Sequence, residues 1–393
     1  MSDIVIAGAC RTAMGRFQGS ISPLKATELG AMAVKEAVKR AGIEAGLVTE
    51  VIMGNVIGAG LGQNPARQAQ LGAGLGFDVS AFTINKVCGS GLKAVVLGAQ
   101  ALKAGDEEIV VAGGMESMSN APYILRKART GYRLGDGKIV DTMVYDGLWD
   151  AYNDFHMGNT GEITSERYNV SREEMDEYAY NSHKKAVDAI NSGKFKEEIF
   201  PVEIPQRKGD PVIFDTDGGP RSDVSLESMA KLRPVFKKGG VITAGNASQL
   251  SDGAAALVLM TSDKASELGV KPMAKITGYA TGGLEPELVM MAPTVAVPKL
   301  LKKTGMKIDD FDLIELNEAF AVQPCAVMKN LGMDPAKVNV HGGAVALGHP
   351  IGCSGTRILV TLLYALKQTG GSKGLATLCL GGGNAVALSL EML

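Results

Sequence analysis

The sequence predicts an α/β fold of two similar halves with an extra domain inserted into the first, and three observations carry that expectation. Short β-branched or apolar runs alternate with stretches of helical period, the pattern of strands buried against helices. The chain changes character from about Ser119 to Asn246, where most of the tyrosines, the only tryptophan (Trp149) and proline-rich joins are found. A weak repeat relates Cys88-Gly-Ser-Gly91 to Gly352-Cys-Ser-Gly355, each opening a helical pattern that runs on to an apolar strand and a cluster of glycines.

In chain order, Ile4-Val5-Ile6 reads as a strand, Ala26 to Ala41 as a helix and Val51-Ile52-Met53 as a second strand. Leu92 to Lys103 has helical period and precedes the strand Ile109-Val110-Val111 and Gly113-Gly114. Within the insertion, Ser171-Arg-Glu-Glu174 resembles a capping box that starts a helix reaching about Ser192 and ended by Gly193. The regular pattern resumes near Ala254 to Met260, and Gly352 to Gly355 opens a helix leading to Ala376-Thr-Leu-Cys-Leu380 and three glycines. These shifts divide the chain into residues 1–118 plus 247–270, an insertion 119–246, and a second half 271–393.

A chain of 393 residues is too long for one hydrophobic core, which agrees with that division. Its 50 glycines, well above average usage, cluster in short loops and imply backbone brought close to something. A net charge of −2 without a basic face or tail offers no general attraction to nucleic acid or anionic membranes. With no run of about 18 apolar residues and no cationic leader before an apolar stretch, the chain is expected to be soluble and cytoplasmic. Five cysteines, an odd number, favour a reducing compartment, and no C-x-x-C or His-x-x-x-His spacing suggests zinc.

Reduced thiols make a cysteine in a glycine-rich turn a candidate nucleophile. Cys88, at a strand-to-helix turn, is placed where exposed helix N–H groups lower a thiol pKa, although a lone cysteine is more often structural. His349 lies between glycines and before a proline, positioned either to pair with a thiolate or to face solvent. Cys379 precedes three glycines whose N–H groups could meet an oxyanion or form a plain turn. Asn317 follows the apolar run Phe311 to Leu316, as a catalytic group at a strand end or as a helix N-cap.

Together, in this order, the motifs resemble the thiolase family across essentially the whole chain. The matching stretches include Arg11-Thr12, Gly62 to Arg67, Val87-Cys-Gly-Ser-Gly91, Gly113-Gly-Met-Glu116, Phe155-His-Met-Gly158, Thr243 to Ser248, Asn317-Glu-Ala-Phe320, Gly348-His-Pro-Ile-Gly352 and Cys379-Leu-Gly-Gly-Gly383. The resemblance implies a thiolase-like fold of stacked mixed sheets and helices, with Cys88 as the acylated nucleophile, His349 as its base and Cys379 as a second acid/base. It implies one oxyanion site from His349 and Asn317 through a water, and another from the N–H groups of Cys88 and Gly381. Coenzyme A would be bound mainly by the insertion. His156 and Met157 would lie near the acyl and pantetheine end, and Arg221, Ser228, Phe236, Ala244 and Ser248 along the pantetheine and nucleotide. Leu148, Met291, Ala319 and Phe320 would line the apolar part. Neither a metal nor another cofactor enters this chemistry.

Phe155-His-Met-Gly158 resembles the short-chain branch, which implies reversible condensation of two acetyl-CoA to acetoacetyl-CoA and free CoA. A 3-ketoacyl-CoA thiolase of fatty-acid degradation, with a longer acyl pocket, and a non-catalytic acyl-CoA or lipid carrier are the alternatives. Arg126 to Asp141 resembles the loop that joins two dimers into a tetramer. Two positions depart from the family pattern, His341 before Gly-Gly-Ala and Cys353 after Gly352. Finally, a low thiol pKa at Cys88, with Cys379 nearby, would favour an oxidative link between them.

Overall fold

The computed structural model describes residues 2–393. Nine main strands build the central sheet: β1 (Ile4–Thr12), β2 (Glu50–Gly54), β3 (Ser80–Ile84), β4 (Ile109–Ser117), β5 (Ser251–Thr261), β6 (Ala274–Gly283), β7 (Leu313–Leu316), β8 (Lys373–Leu380) and β9 (Asn384–Met392). Their spatial order is β3-β2-β4-β5-β1-β6-β9-β8-β7. Two short strands widen it, Ile199–Phe200 on β1 and Gly15–Arg16 on β5.

The sequence repeat is a structural repeat. The order β2-β4-β5-β1 in the first half matches β7-β8-β9-β6 in the second, and the two half-sheets pair edge to edge where Val5 and Ile6 face Lys275 and Ala274. Both seam strands carry a register shift at the same place, between Ile6 and Gly8 in β1 and between Ile276 and Gly278 in β6. In each case the glycine lets a helix press on the sheet. A β-carbon on Gly8 would fall within 3 Å of Ala37 and Ala41 of α1 (Ala26–Ala41). One on Gly278 would meet Thr304 and Leu300 of the equivalent Pro293–Thr304 helix.

Two helices, α2 (Ser90–Ala104) and Ser354–Thr369, lie between the half-sheets and contact strands of both. The half-sheets are thus apolar on both faces: along β1, Ile4 and Ile6 join the central core while Val5 and Ala7 join the cluster under α1. The central pair touches at its N-termini because two equivalent positions lack side chains. Gly91 lies against Thr356, and Gly355 against the backbone of Leu92.

The inserted region leaves the sheet after Ser117 and returns at Ser251, and contains α3 (Met157–Tyr168), α4 (Arg172–Asn191) and three short hairpins. Ser171 caps α4 with the reciprocal Glu174 bond that the sequence predicted, and the helix gives way at Ser192 to Gly193 with φ of 70°. Arg11 ties the insertion to the first strand. Fully buried, its guanidinium donates to Glu198 at 2.5 Å and to both oxygens of Asp217 at 2.7 and 2.9 Å. From here the remaining long helices are α5 (Pro293–Thr304) and α6 (Ser354–Thr369).

Candidate active site

The chain between β3 and α2 makes a tight turn that presents Cys88. Val87 takes a left-handed conformation, φ 46°, costly for a β-branched residue by about 1–3 kcal/mol and so maintained by its surroundings. Asn85 Oδ1 accepts the Val87 N–H at 2.9 Å, while Ser90 Oγ accepts the Lys86 N–H at 2.8 Å and donates to the Val87 carbonyl at 2.6 Å. Gly89 allows this turn to rest on Leu380, at the end of the strand that carries Cys379. The backbone N–H groups of Cys88 and Gly381 lie near the Cys88 sulfur and favour its charged form.

The opposite wall comes from the segment before α6. His349 follows Gly348, whose φ of 105° turns the chain away from the short helix Ala344–Leu347, and its N–H donates to the Gln249 carbonyl at 3.0 Å. The imidazole is buried rather than exposed to solvent. Its Nδ1 lies 2.6 Å from Ser354 Oγ, and Nε2 has no partner in the protein.

These groups line one cavity of about 270 Å³, largely apolar. Cys88, His349, Cys379 and Gly381 share it with Leu148, His156, Met157, Phe236, Ser248, Ala319 and Phe320. His156 caps α3 by accepting the Gly158 N–H at Nδ1 and stacks on Phe236, ring centres 4.7 Å apart; Phe320 meets Phe236 edge-on at 6.0 Å. Arg221, Ser228 and Ala244 line a second cleft of about 370 Å³. The two spaces share the segment 244–250: Ala244, Gly245 and Gln249 face the cleft, whereas Ala247, Ser248 and Leu250 face the cavity.

Two of the residues singled out in the sequence line neither space. Met291 is packed in the core, and its neighbours Val289 and Met290 form the wall instead. Asn317 is not a helix cap, since the next helix starts at Val322 with Ala321 as its N-cap. It is buried at the end of β7, and neither polar atom of its side chain has a protein partner. Three groups were missed. The sequence presents Ser354 only as part of the repeat, and does not mark Arg16 and His183 of the second cleft as site residues. The repeat was the signal for Ser354; nothing in the local sequence marks the other two.

Electrostatically, burial overrides the helix-end effect expected at Cys88. Cys88 is half-buried at the wall of the cavity, and desolvation by the groups around it pushes its thiol up to about 12, against the opposing pull of the two N–H groups. Cys379 is raised well above the ordinary thiol range by burial and then by the neighbouring Cys88. His349 is lowered to about 3, by burial first and the Arg357 charge second. The resting site therefore holds two thiols and a neutral imidazole, and the depressed thiol pKa behind the expected oxidative link is not present. The two departures from the pattern lie off the cavity: Cys353 is a buried core residue, and His341 meets Gln368 at 3.2 Å and the edge of Phe195.

Two thiols, one imidazole and a pair of backbone donors converging at the N-termini of paired central helices define an acyl-transfer site on a duplicated α/β fold. The chain belongs to the thiolase family: residues 4–263 match the model "Thiolase, N-terminal domain" and residues 270–392 the model "Thiolase, C-terminal domain". It is 54% identical to the acetyl-CoA acetyltransferase of Pseudomonas aeruginosa over 390 residues, 99% of each chain. With the acetyl-CoA acetyltransferase of Cupriavidus necator it shares 55% identity over 391 residues, covering both chains in full. The crystal structure of the Bacillus anthracis acetyl-CoA acetyltransferase superposes with a TM-score of 0.98 at 45% identity, covering 100% of this chain and 99% of that one.

Proposed function

We propose that the protein is an acetyl-CoA C-acetyltransferase that joins two acetyl-CoA molecules into acetoacetyl-CoA and free CoA, reversibly, through an acetyl group on Cys88. The observation that carries this reading is the convergence of Cys88, His349 and Cys379 in one short apolar cavity. The thiol proton of Cys88 passes to His349 Nε2 as the sulfur attacks the thioester carbonyl, so charge separates only as the bond forms. The C–S bond to coenzyme A breaks, Cys379 protonates the departing thiolate, and acetyl-Cys88 remains.

In the second half, the Cys379 thiolate removes an α-proton from the next acetyl-CoA. The resulting enolate attacks the acetyl carbonyl on Cys88, the new C–C bond forms, and the Cys88 thiolate leaves to recover its proton from His349. The N–H groups of Cys88 and Gly381 suit the oxyanion of the acyl-enzyme, and His349 with Asn317, through a water, suits that of the thioester. Loss of one such donor typically costs about 10²–10³ in rate. The unpartnered, buried amide of Asn317 supports its part in this arrangement.

The second cleft, with Arg221 and Ser228, suits the nucleotide of CoA, and the insertion 119–246 supplies most of the lining of that cleft. We place the enzyme in acyl-thioester and fatty-acid metabolism in the cytoplasm: its five cysteines are free, and among the described residues no helix is long and apolar enough to cross a membrane. A homotetramer is the assembly we expect. The loop 126–141 projects exposed Leu134 and Ile139, while the edge strand β3 exposes Phe82 and the turn before it Phe77, apolar groups on two different elements as a dihedral tetramer needs.

Incubation with labelled acetyl-CoA followed by intact-mass analysis tests the reading. Acetyl on Cys88, lost in Cys88→Ala, supports it; no covalent acetyl would leave a carrier. Cys379→Ala should retain acylation and lose condensation. Rates that increase with 3-ketoacyl chain length would move the assignment to the degradative branch.

A further inference from the structure

We propose that Ser354 is a positioning residue for His349, holding its imidazole in the tautomer that leaves Nε2 free to take the Cys88 proton. The inference deepens the thiolase reading and rests on it. A serine hydroxyl has a single proton, and Ser354 Oγ lies within hydrogen-bond reach of two acceptors, the Pro350 carbonyl at 2.9 Å and His349 Nδ1 at 2.6 Å; we assign the proton to the carbonyl. With the hydroxyl proton assigned to that carbonyl, the 2.6 Å contact with His349 Nδ1 is a bond in which the ring N–H donates, and the tautomer is the inference that the nitrogen-15 experiment tests. That assignment leaves a lone pair on Nε2, the one ring atom without a protein partner, in the imidazole that lines the cavity with Cys88.

The same bond serves the next stage. When Nε2 accepts the thiol proton, both ring nitrogens carry hydrogen, and Nδ1–H already has its acceptor. Ser354 thereby offsets part of the cost of charging an imidazole that burial and Arg357 otherwise keep neutral. Ser354 itself is completely buried at the start of α6, and the turn beside it is pinned by Glu116, which accepts the Gly352 N–H at 2.9 Å.

The repeat strengthens the assignment. Ser90 occupies the equivalent place at the start of α2, but both its bonds go to backbone, ordering the turn that presents Cys88. In the second half the corresponding hydroxyl keeps its bond to the preceding turn, at Pro350, and turns its acceptor side to the imidazole. One serine position thus orders the nucleophile in one half and the base in the other.

The test compares Ser354→Ala and Ser354→Thr in the full-length enzyme, measuring single-turnover acylation of Cys88 by acetyl-CoA and steady-state cleavage of acetoacetyl-CoA. We expect Ser354→Ala to lower acylation and kcat by about tenfold to a hundredfold with little change in KM, and Ser354→Thr to restore most of it. Nitrogen-15 spectra of histidine-labelled enzyme, assigned with His349→Ala, should show Nδ1 protonated in the wild type. They should show a shift toward the other tautomer in Ser354→Ala. Wild-type acylation rates in Ser354→Ala, or a proton on Nε2 in the free wild type, would overturn the proposal. Absence of acylation in the wild type would strike the thiolase reading instead, and the tautomer measurement decides the role of Ser354 even if the alanine variant fails to fold.

Discussion

Desolvation sets the protonation of Cys88, His349 and Cys379, the side chains proposed to react, in the direction that keeps the resting site neutral. A thiol at about 12 and an imidazole at about 3 do not form an ion pair at pH 7. Because the Cys88 pKa is raised, its thiolate fraction grows about tenfold with each pH unit and levels off only above the measurable range. Alkylation of the free enzyme by iodoacetamide should therefore climb from pH 7 to 10 without a plateau; a rate already flat at pH 7 would mean a preformed thiolate. At the other end of the site, Arg16 lines the cleft beside Arg221 and, among the described residues, makes no ion pair, whereas Arg221 is bound to Asp223 at 3.0 Å. Arg16→Ala should raise KM for acetyl-CoA by about tenfold, in line with the loss of one charge-assisted bond, and leave KM for a thioester lacking the nucleotide unchanged. An equal rise for both would place Arg16 elsewhere in the binding path.

The central helices depend on two missing side chains. A β-carbon on Gly91 would come within 3 Å of the Thr356 backbone nitrogen, and one on Gly355 within 3 Å of Leu92. Backbone cannot rotate out of the way as a side chain can, so the helices would have to separate. Gly91→Ala or Gly355→Ala should cost about 1–3 kcal/mol in denaturant unfolding. Activity should fall further than stability, because Cys88 and His349 sit directly ahead of the two helix starts. By contrast Gly105→Ala, beyond the far end of α2, meets no neighbour within 4 Å, and its cost comes only from its φ of 81°. It should lower stability with far less loss of kcat.

Across the molecule, Arg11 joins the first strand to the insertion through carboxylates that have little solvent to fall back on. Glu198 and Asp217 are themselves buried, so Arg11→Ala strands two acids rather than removing one bond. A loss of about 3–5 kcal/mol is expected, read by chemical denaturation, with release of the 195–220 segment seen first in hydrogen exchange. Assembly belongs to a different surface. Leu134 is almost fully exposed and Ile139 largely so; if the proposed tetramer forms through this loop, a Leu134→Asp, Ile139→Asp double variant should sediment as a dimer, and equal sedimentation of variant and wild type would count against it.

What the sequence by itself determined was the α/β class, the repeat and the inserted stretch, and it named the groups proposed to react. Strand and helix follow from local periodicity, the capping box at Ser171 is written in four adjacent residues, and Cys88, His349 and Cys379 stand in motifs short enough to read directly. The tertiary structure alone decided that those three share a cavity, that Met291 yields its expected place to Met290, and that Ser354 reaches His349. It also reversed the expected state of Cys88. A helix start and a glycine turn can be seen along the chain, but desolvation depends on what the rest of the fold lays over the sulfur, and here that burial outweighs the local dipole.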